Sequence, residues 1–158
     1  MQTLKSICVS DRDAARLKAV LDEGLPRYGE TLRKYAYALR AELGRAHVVP
    51  ERDLPPDVVG LDSVVRITDL DTRSDMTFRL ALPEDADRSD RVSVLSPLGM
   101  AVFGYRVGDR KDWGPVERLI RFRIDSVSSV QRRRERRGPA LGRSLAGRRP
   151  RRRVRLRA

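Results

Sequence analysis

The sequence predicts an α+β protein: a short antiparallel pair of helices, then a small and mostly antiparallel β domain. Three observations carry that expectation. Apolar residues recur at helical spacing between Ala14 and Leu43. Pro50, Pro55 and Pro56 then end the helical pattern. Beyond them, short β-rich runs alternate with polar turns.

The first helix starts at Ser10-Asp11-Arg12-Asp13, where Ser10 is placed to cap free N–H groups and Asp13 stands at the acidic position of a capping box. Ala14, Leu17, Val20 and Leu21 follow on one face, and Gly24, Pro26 and Gly29 break the pattern. The second helix is expected over 31–46, with Leu32, Tyr35, Ala36, Leu39 and Leu43 on one face. A short Gly/Pro turn between them predicts an antiparallel hairpin, a short coiled coil. Each helix is three to four turns, roughly 18–24 Å long at ~1.5 Å per residue. Strands are expected over 63–68 and 76–82, around the turn Asp71-Thr72-Arg73-Ser74, and over 92–95. Ser96-Pro97 stops the third strand, and 98–103 reads as a short helix closed by Gly104. Strands over 111–113 and 118–130 complete the domain. In the last, Ile120, Phe122 and Ile124 face one way, with Arg121, Arg123 and Asp125 opposite. The division is 1–49 for the hairpin, 50–57 for a linker, 58–130 for the head and 131–158 for a tail.

The tail holds the charge. Of 158 residues, 35% are charged and the net charge is +12. Positions 131–158 carry thirteen arginines and one acid, Glu135, so they account for all of it and residues 1–130 balance to zero. A basic DNA-binding fold is therefore not implied. The tail has too little apolar surface to fold and is expected to be disordered alone. Arg132, Arg133, Arg134, Arg151, Arg152 and Arg153 are candidates for sequence-blind phosphate neutralisation on DNA or RNA. No aromatic residue lies there to stack on bases. No run of about eighteen apolar residues predicts a membrane span. The N-terminus lacks a signal-peptide core, and the lone Cys8 has no partner for a disulfide, so the expected location is cytoplasmic. His47 has no second histidine with which to bind a metal, so no metal or cofactor is expected. Trp113 reads as core or half-buried in a strand, and Met100, Val102, Phe103 and Tyr105 as core residues.

The stretch from Val92 to Asp109, containing Ser96-Pro97-Leu98-Gly99-Met100-Ala101, then Gly104 and Gly108-Asp109, resembles the signature of the Gre family of transcription factors. Within that family the resemblance leans to the Rnk branch, the regulators of nucleoside diphosphate kinase. Three segments carry it: Ile7-Cys8-Val9-Ser10-Asp11 with Ala15-Arg16-Leu17, Glu42 to Ala46, and Asp57 to Val65. The resemblance covers about 7–130 and leaves out the arginine tail.

The resemblance implies an FKBP-like head that docks on the rim of the secondary channel of RNA polymerase, with Ser96, Pro97, Leu98 and Gly99 as candidate contacts. It also implies an acidic pair at a hairpin tip that helps hold Mg²⁺ for cleavage of backtracked RNA. Here Asp22, Glu23 and Glu30 lie near the tip but form no such motif. A hairpin this short is not expected to deliver a carboxylate to the active site. The expected function is thus polymerase binding without cleavage, by a monomer with no catalytic residue. A cleavage factor of the standard Gre type is the alternative. A peptidyl-prolyl isomerase is implied only by the FKBP-like fold, and its aromatic-rich pocket is hard to build from a chain that is 5% aromatic.

Overall fold

A computed structural model describes residues 5–129. Strand β1 (Cys8–Ser10) runs directly into helix α1 (Asp11–Gly24). Ser10 caps that helix as expected, its Oγ accepting from Asp13 N–H at 3.1 Å. The capping-box expectation for Asp13 is corrected. Its carboxylate reaches across to the head and accepts from Leu61 N–H at 2.9 Å. An aspartate is one methylene shorter than the glutamate that usually closes such a box, and here it turns to another partner. Helix α2 (Glu30–Arg45) buries Ala36 and Leu39. Leu32, expected on the same face, is 40% exposed. Strand β2 (His47–Val49) leaves α2 and pairs in parallel with β1, Cys8 opposite His47. No strand is expected here from the sequence, because its partner β1 lies far away in the chain. His47 is exposed on β2.

The 50–57 stretch is an ordered connection, with a 3₁₀ turn at Glu51–Asp53 and Leu54 buried. The head is a five-stranded sheet in the order β5-β4-β3-β7-β6. Its strands are β3 (Ser63–Asp69), β4 (Asp75–Ala81), β5 (Arg91–Ser93), β6 (Arg110–Trp113) and β7 (Ile120–Ser129). Three of its four pairings are antiparallel, but β5 lies parallel to β4, Arg79 opposite Arg91. The sheet is therefore mostly antiparallel, as expected, and mixed at the β4–β5 edge. Residues 82–90, which include the 3₁₀ turn Pro83–Asp85, are too long for a hairpin and bring the chain back to enter in the same direction.

The alternation on β7 holds for Phe122 and Ile124, both fully buried. It then shifts. Arg66 pairs with Ser126 and Ile67 with Ile124, so Asp125 is an extra residue in the ladder. This β-bulge turns Val127 to the core side, three positions after Ile124 rather than two. Thr68 Oγ1 donates to the Asp125 carboxylate, and Arg123 Nε donates to it at 2.8 Å. One hydrophobic core runs from Val9, Leu17 and Leu39 through Val65, Phe78 and Leu80 to Phe103 and Phe122. The base of the helix pair and the head therefore share their apolar interior. Among the described residues, no helix is long and apolar enough to cross a membrane.

Candidate functional site

The site is a turn and short helix between β5 and β6. The turn is built by serine hydroxyls. Ser93 Oγ accepts from Leu95 N–H at 3.1 Å. Ser96 Oγ donates to the Ser93 carbonyl at 2.7 Å and accepts from Gly99 N–H at 3.1 Å. Ser96 thus caps helix α3 (Pro97–Val102), and Pro97 occupies its first position, where the missing N–H costs nothing. Gly99 is required by space: a Cβ there would lie 2.0 Å from the Ser93 carbonyl oxygen. Gly104 closes the helix with φ +77°, and a Cβ there would lie 2.5 Å from Ile7 Cβ. Its N–H donates to Val59 and its carbonyl accepts from Cys8 N–H, so it ties α3 to β1 and to the entry of the head.

The four candidate contact residues separate by burial. Pro97 is exposed and Ser96 half-buried, whereas Leu98 and Gly99 are buried. At 5% exposure the Leu98 side chain packs into the core and leaves little surface for a partner. The helical turn after the Ser96 cap directs the second apolar position inward. Val102 and Phe103 are core residues as expected, with Met100 and Tyr105 partly buried against them.

Beside Pro97 a groove of about 250 Å³ opens between α2, α3 and β6. Leu39 and Glu42 of α2 contribute to its lining, as do Met100 and Ala101 of α3 and Lys111 and Asp112 of β6. Lys111 Nζ donates to Tyr105 Oη at 3.0 Å and sits 4.1 Å from that ring's centroid. Sequence reasoning missed Glu42, Lys111 and Asp112, because residues far apart in the chain give no local signal of meeting.

The Gly108-Asp109 turn is locked from both sides. Asp109 accepts from Arg106 N–H at 2.8 Å and from Lys5 Nζ at 2.7 Å. Burial pushes its carboxyl up, but the Lys5 and Arg106 hydrogen bonds outweigh this and hold it below the ordinary value. A second junction lies at the start of α1. Arg16 pairs with Asp62 at 2.9 Å, beside the Asp13–Leu61 bond. Burial raises the Asp13 carboxyl to about 6, against the opposing pull of the Leu61 N–H; Glu51 and Asp62 raise it further and Arg16 lowers it.

Asp22, Glu23 and Glu30 are all exposed near the far end of the helix pair. Asp22 is ion-paired with Arg40 of α2, so it faces its neighbouring helix. Among the described residues, no group of three or more His, Cys, Asp or Glu is placed to hold a metal. Trp113 is half-buried, with its Nε1 enclosed. The six tail arginines, Arg132, Arg133, Arg134, Arg151, Arg152 and Arg153, lie outside the described residues.

Known proteins are similar to this chain in sequence and fold. Residues 54–129 match the family described as "Transcription elongation factor, GreA/GreB, C-term", and residues 5–49 match "Rnk N-terminus". The chain is 34% identical over 113 residues to the "Regulator of nucleoside diphosphate kinase" of Escherichia coli (strain K12), spanning 68% of this chain and 77% of the relative. It is 31% identical over 91 residues to "Transcription elongation factor GreA" of Thermodesulfovibrio yellowstonii, spanning 57% of this chain and 58% of that protein. A solved GreA/GreB transcription elongation factor from Nitrosomonas europaea superposes with a TM-score of 0.62 at 32% identity, covering 78% of this chain and 98% of that one. The chain belongs to the GreA/GreB transcription elongation factor family, and its helical N-terminal part places it with the Rnk-type members.

Proposed function

We propose that this protein is a transcription regulator that binds RNA polymerase at the rim of its secondary channel and does not stimulate transcript cleavage. The observation that carries the docking site is Pro97. It is exposed at the tip of a turn whose conformation Ser96 and Gly99 fix, so it meets a partner without ordering cost. The head over 58–130, read as FKBP-like, supplies the affinity. The helix pair, read as an antiparallel hairpin, stands at the channel entrance.

Two observations favour binding without cleavage. The helices have 14 and 16 residues, or about 21 and 24 Å at ~1.5 Å per residue, which is short reach for a channel-spanning arm. Asp22 is engaged by Arg40, and neither the adjacent Asp22-Glu23 nor Glu30 sits in an acidic cleavage motif of the family. A carboxylate out of reach contributes nothing to metal-assisted chemistry. The protein acts by occupancy, as a monomer, in competition with other secondary-channel factors.

Retention by immobilised core polymerase tests the docking, comparing wild type with Pro97→Ala. Undiminished retention of the variant rejects Pro97 as a contact, and no retention of wild type rejects the function. A backtracked elongation complex tests the chemistry: faster RNA cleavage on adding the protein overturns the non-cleaving assignment. A subsidiary reading concerns the arginine-rich residues 131–158, which carry the whole net charge and suit salt-sensitive contact with nucleic-acid phosphates.

A further inference from the structure

We infer that the polymerase-docking surface is composite: the groove beside Pro97 takes an arginine side chain of the partner, with its guanidinium held between Glu42 of the helix pair and Asp112 of the head. The inference rests on the docking function proposed above and deepens it.

The dimensions come first. About 250 Å³ lies below the range of small-molecule sites, roughly 300–1,000 Å³, and suits a side chain of a docked protein. The lining is two-part. Exposed Pro97 and half-buried Met100 and Ala101 offer an apolar wall, matched to the methylene stem of a long side chain. Glu42 and Asp112 supply carboxylates from different elements, α2 and β6. The one cation in the lining, Lys111, is drawn on to Tyr105. The lining thus holds two carboxylates against one lysine; Glu42 is also ion-paired with the exposed Arg45 of its own helix, a surface pair of small worth that an incoming guanidinium displaces. Arginine combines an apolar stem with a planar fork that binds carboxylates in two-point fashion, and it is enriched at interface hot spots.

The walls also hold their places. Leu39, one helical turn before Glu42, is buried in the shared core, and Phe103 anchors the end of α3 in that same core. Glu42 is therefore fixed relative to Pro97 by packing across the junction. The consequence is that the helix pair contributes to affinity at its base, near the head, whatever its tip does.

The test uses the full chain and immobilised core polymerase, with Pro97→Ala, Glu42→Lys, Asp112→Lys and, as a charge-matched control, Glu117→Lys. Glu42 is part-exposed and Asp112 and Glu117 are exposed, so the reversals leave the core intact; thermal unfolding verifies this. Glu42→Lys and Asp112→Lys are expected to weaken retention by about tenfold or more, and Glu117→Lys by far less. If Pro97→Ala weakens binding while Glu42→Lys does not, the head docks without α2; the composite groove is then wrong while the docking function stands. Equal weakening by Glu42→Lys and Glu117→Lys means net charge rather than a groove, and also overturns the inference. Failure of wild type to bind overturns both.

Discussion

Replacing Asp13 by Asn probes the junction between the helix pair and the head, and the structure fixes the sign of the effect. Asp13 is buried at the first turn of α1, where its carboxylate accepts from Leu61 N–H at 2.9 Å. Two influences favour the ionised form, that N–H and Arg16 nearby; burial, Glu51 and Asp62 oppose it and win. The carboxyl is raised from 3.8 to about 6. A carboxyl with a raised folded-state pKa binds its proton more tightly in the fold than in the unfolded chain. Its contribution is thus favourable at low pH and is lost as pH climbs from about 4 through about 6. About two pH units at ~1.36 kcal/mol each give about 3 kcal/mol across the full window. Between pH 4.5 and 7.5 roughly 2 kcal/mol of that is traversed. Asn keeps an acceptor oxygen for Leu61 N–H and does not titrate. Urea unfolding of wild type and Asp13→Asn at both pH values cancels the other carboxylates in the difference. The stability of wild type relative to the variant is expected to fall by about 2 kcal/mol from pH 4.5 to 7.5. A difference that stays constant, or that moves in favour of Asp at higher pH, refutes the reasoning. It would mean that the helix dipole and Arg16 make Asp13 a stabilising anion.

Three further outcomes are expected. Gly104→Ala forces a left-handed φ on alanine and drives a Cβ to 2.5 Å from Ile7, so it should destabilise by roughly 2–5 kcal/mol in urea unfolding; near-neutral behaviour would show that the α3–β1 contact relaxes freely. Ser96→Ala removes the α3 cap and the bond to the Ser93 carbonyl, and should cost about 1–2 kcal/mol, with a matching loss of polymerase retention if turn rigidity aids docking. Removing the residues after Val130 should abolish most nucleic-acid retention at about 50 mM salt and matter little at about 200 mM; equal retention by both chains at low salt ends the case for the tail.

Much of the architecture was legible because it depends on neighbours in sequence. Ser10 and Ser96 announce helix starts, since a hydroxyl before a helical run finds its own N–H partners within three residues. The run from Val92 to Asp109 marked both the turn and the family, for its glycines and proline encode backbone shapes that few other residues adopt. The placement of the charge was likewise plain, being a sum along the chain.

Other features needed the tertiary structure. The bulge at Asp125 depends on the register of β3 against β7, and alternation read from one strand does not see its partner. Leu98 looked like a candidate contact because an apolar residue after Ser-Pro is compatible with either a surface or a core, and only the packing of α3 sends it inward. Asp13 read as a local cap, yet its partner Leu61 lies 48 residues away. The groove follows the same rule, with Leu39 and Glu42 on α2, Pro97 on α3 and Asp112 on β6. By itself the sequence determined the helix starts, the signature turn and the location of the charge, because each is settled by contacts within a few residues. Only the fold decided which side chains face outward and which distant carboxylates meet, because burial and long-range pairing are set by how the helix pair and the sheet share one core.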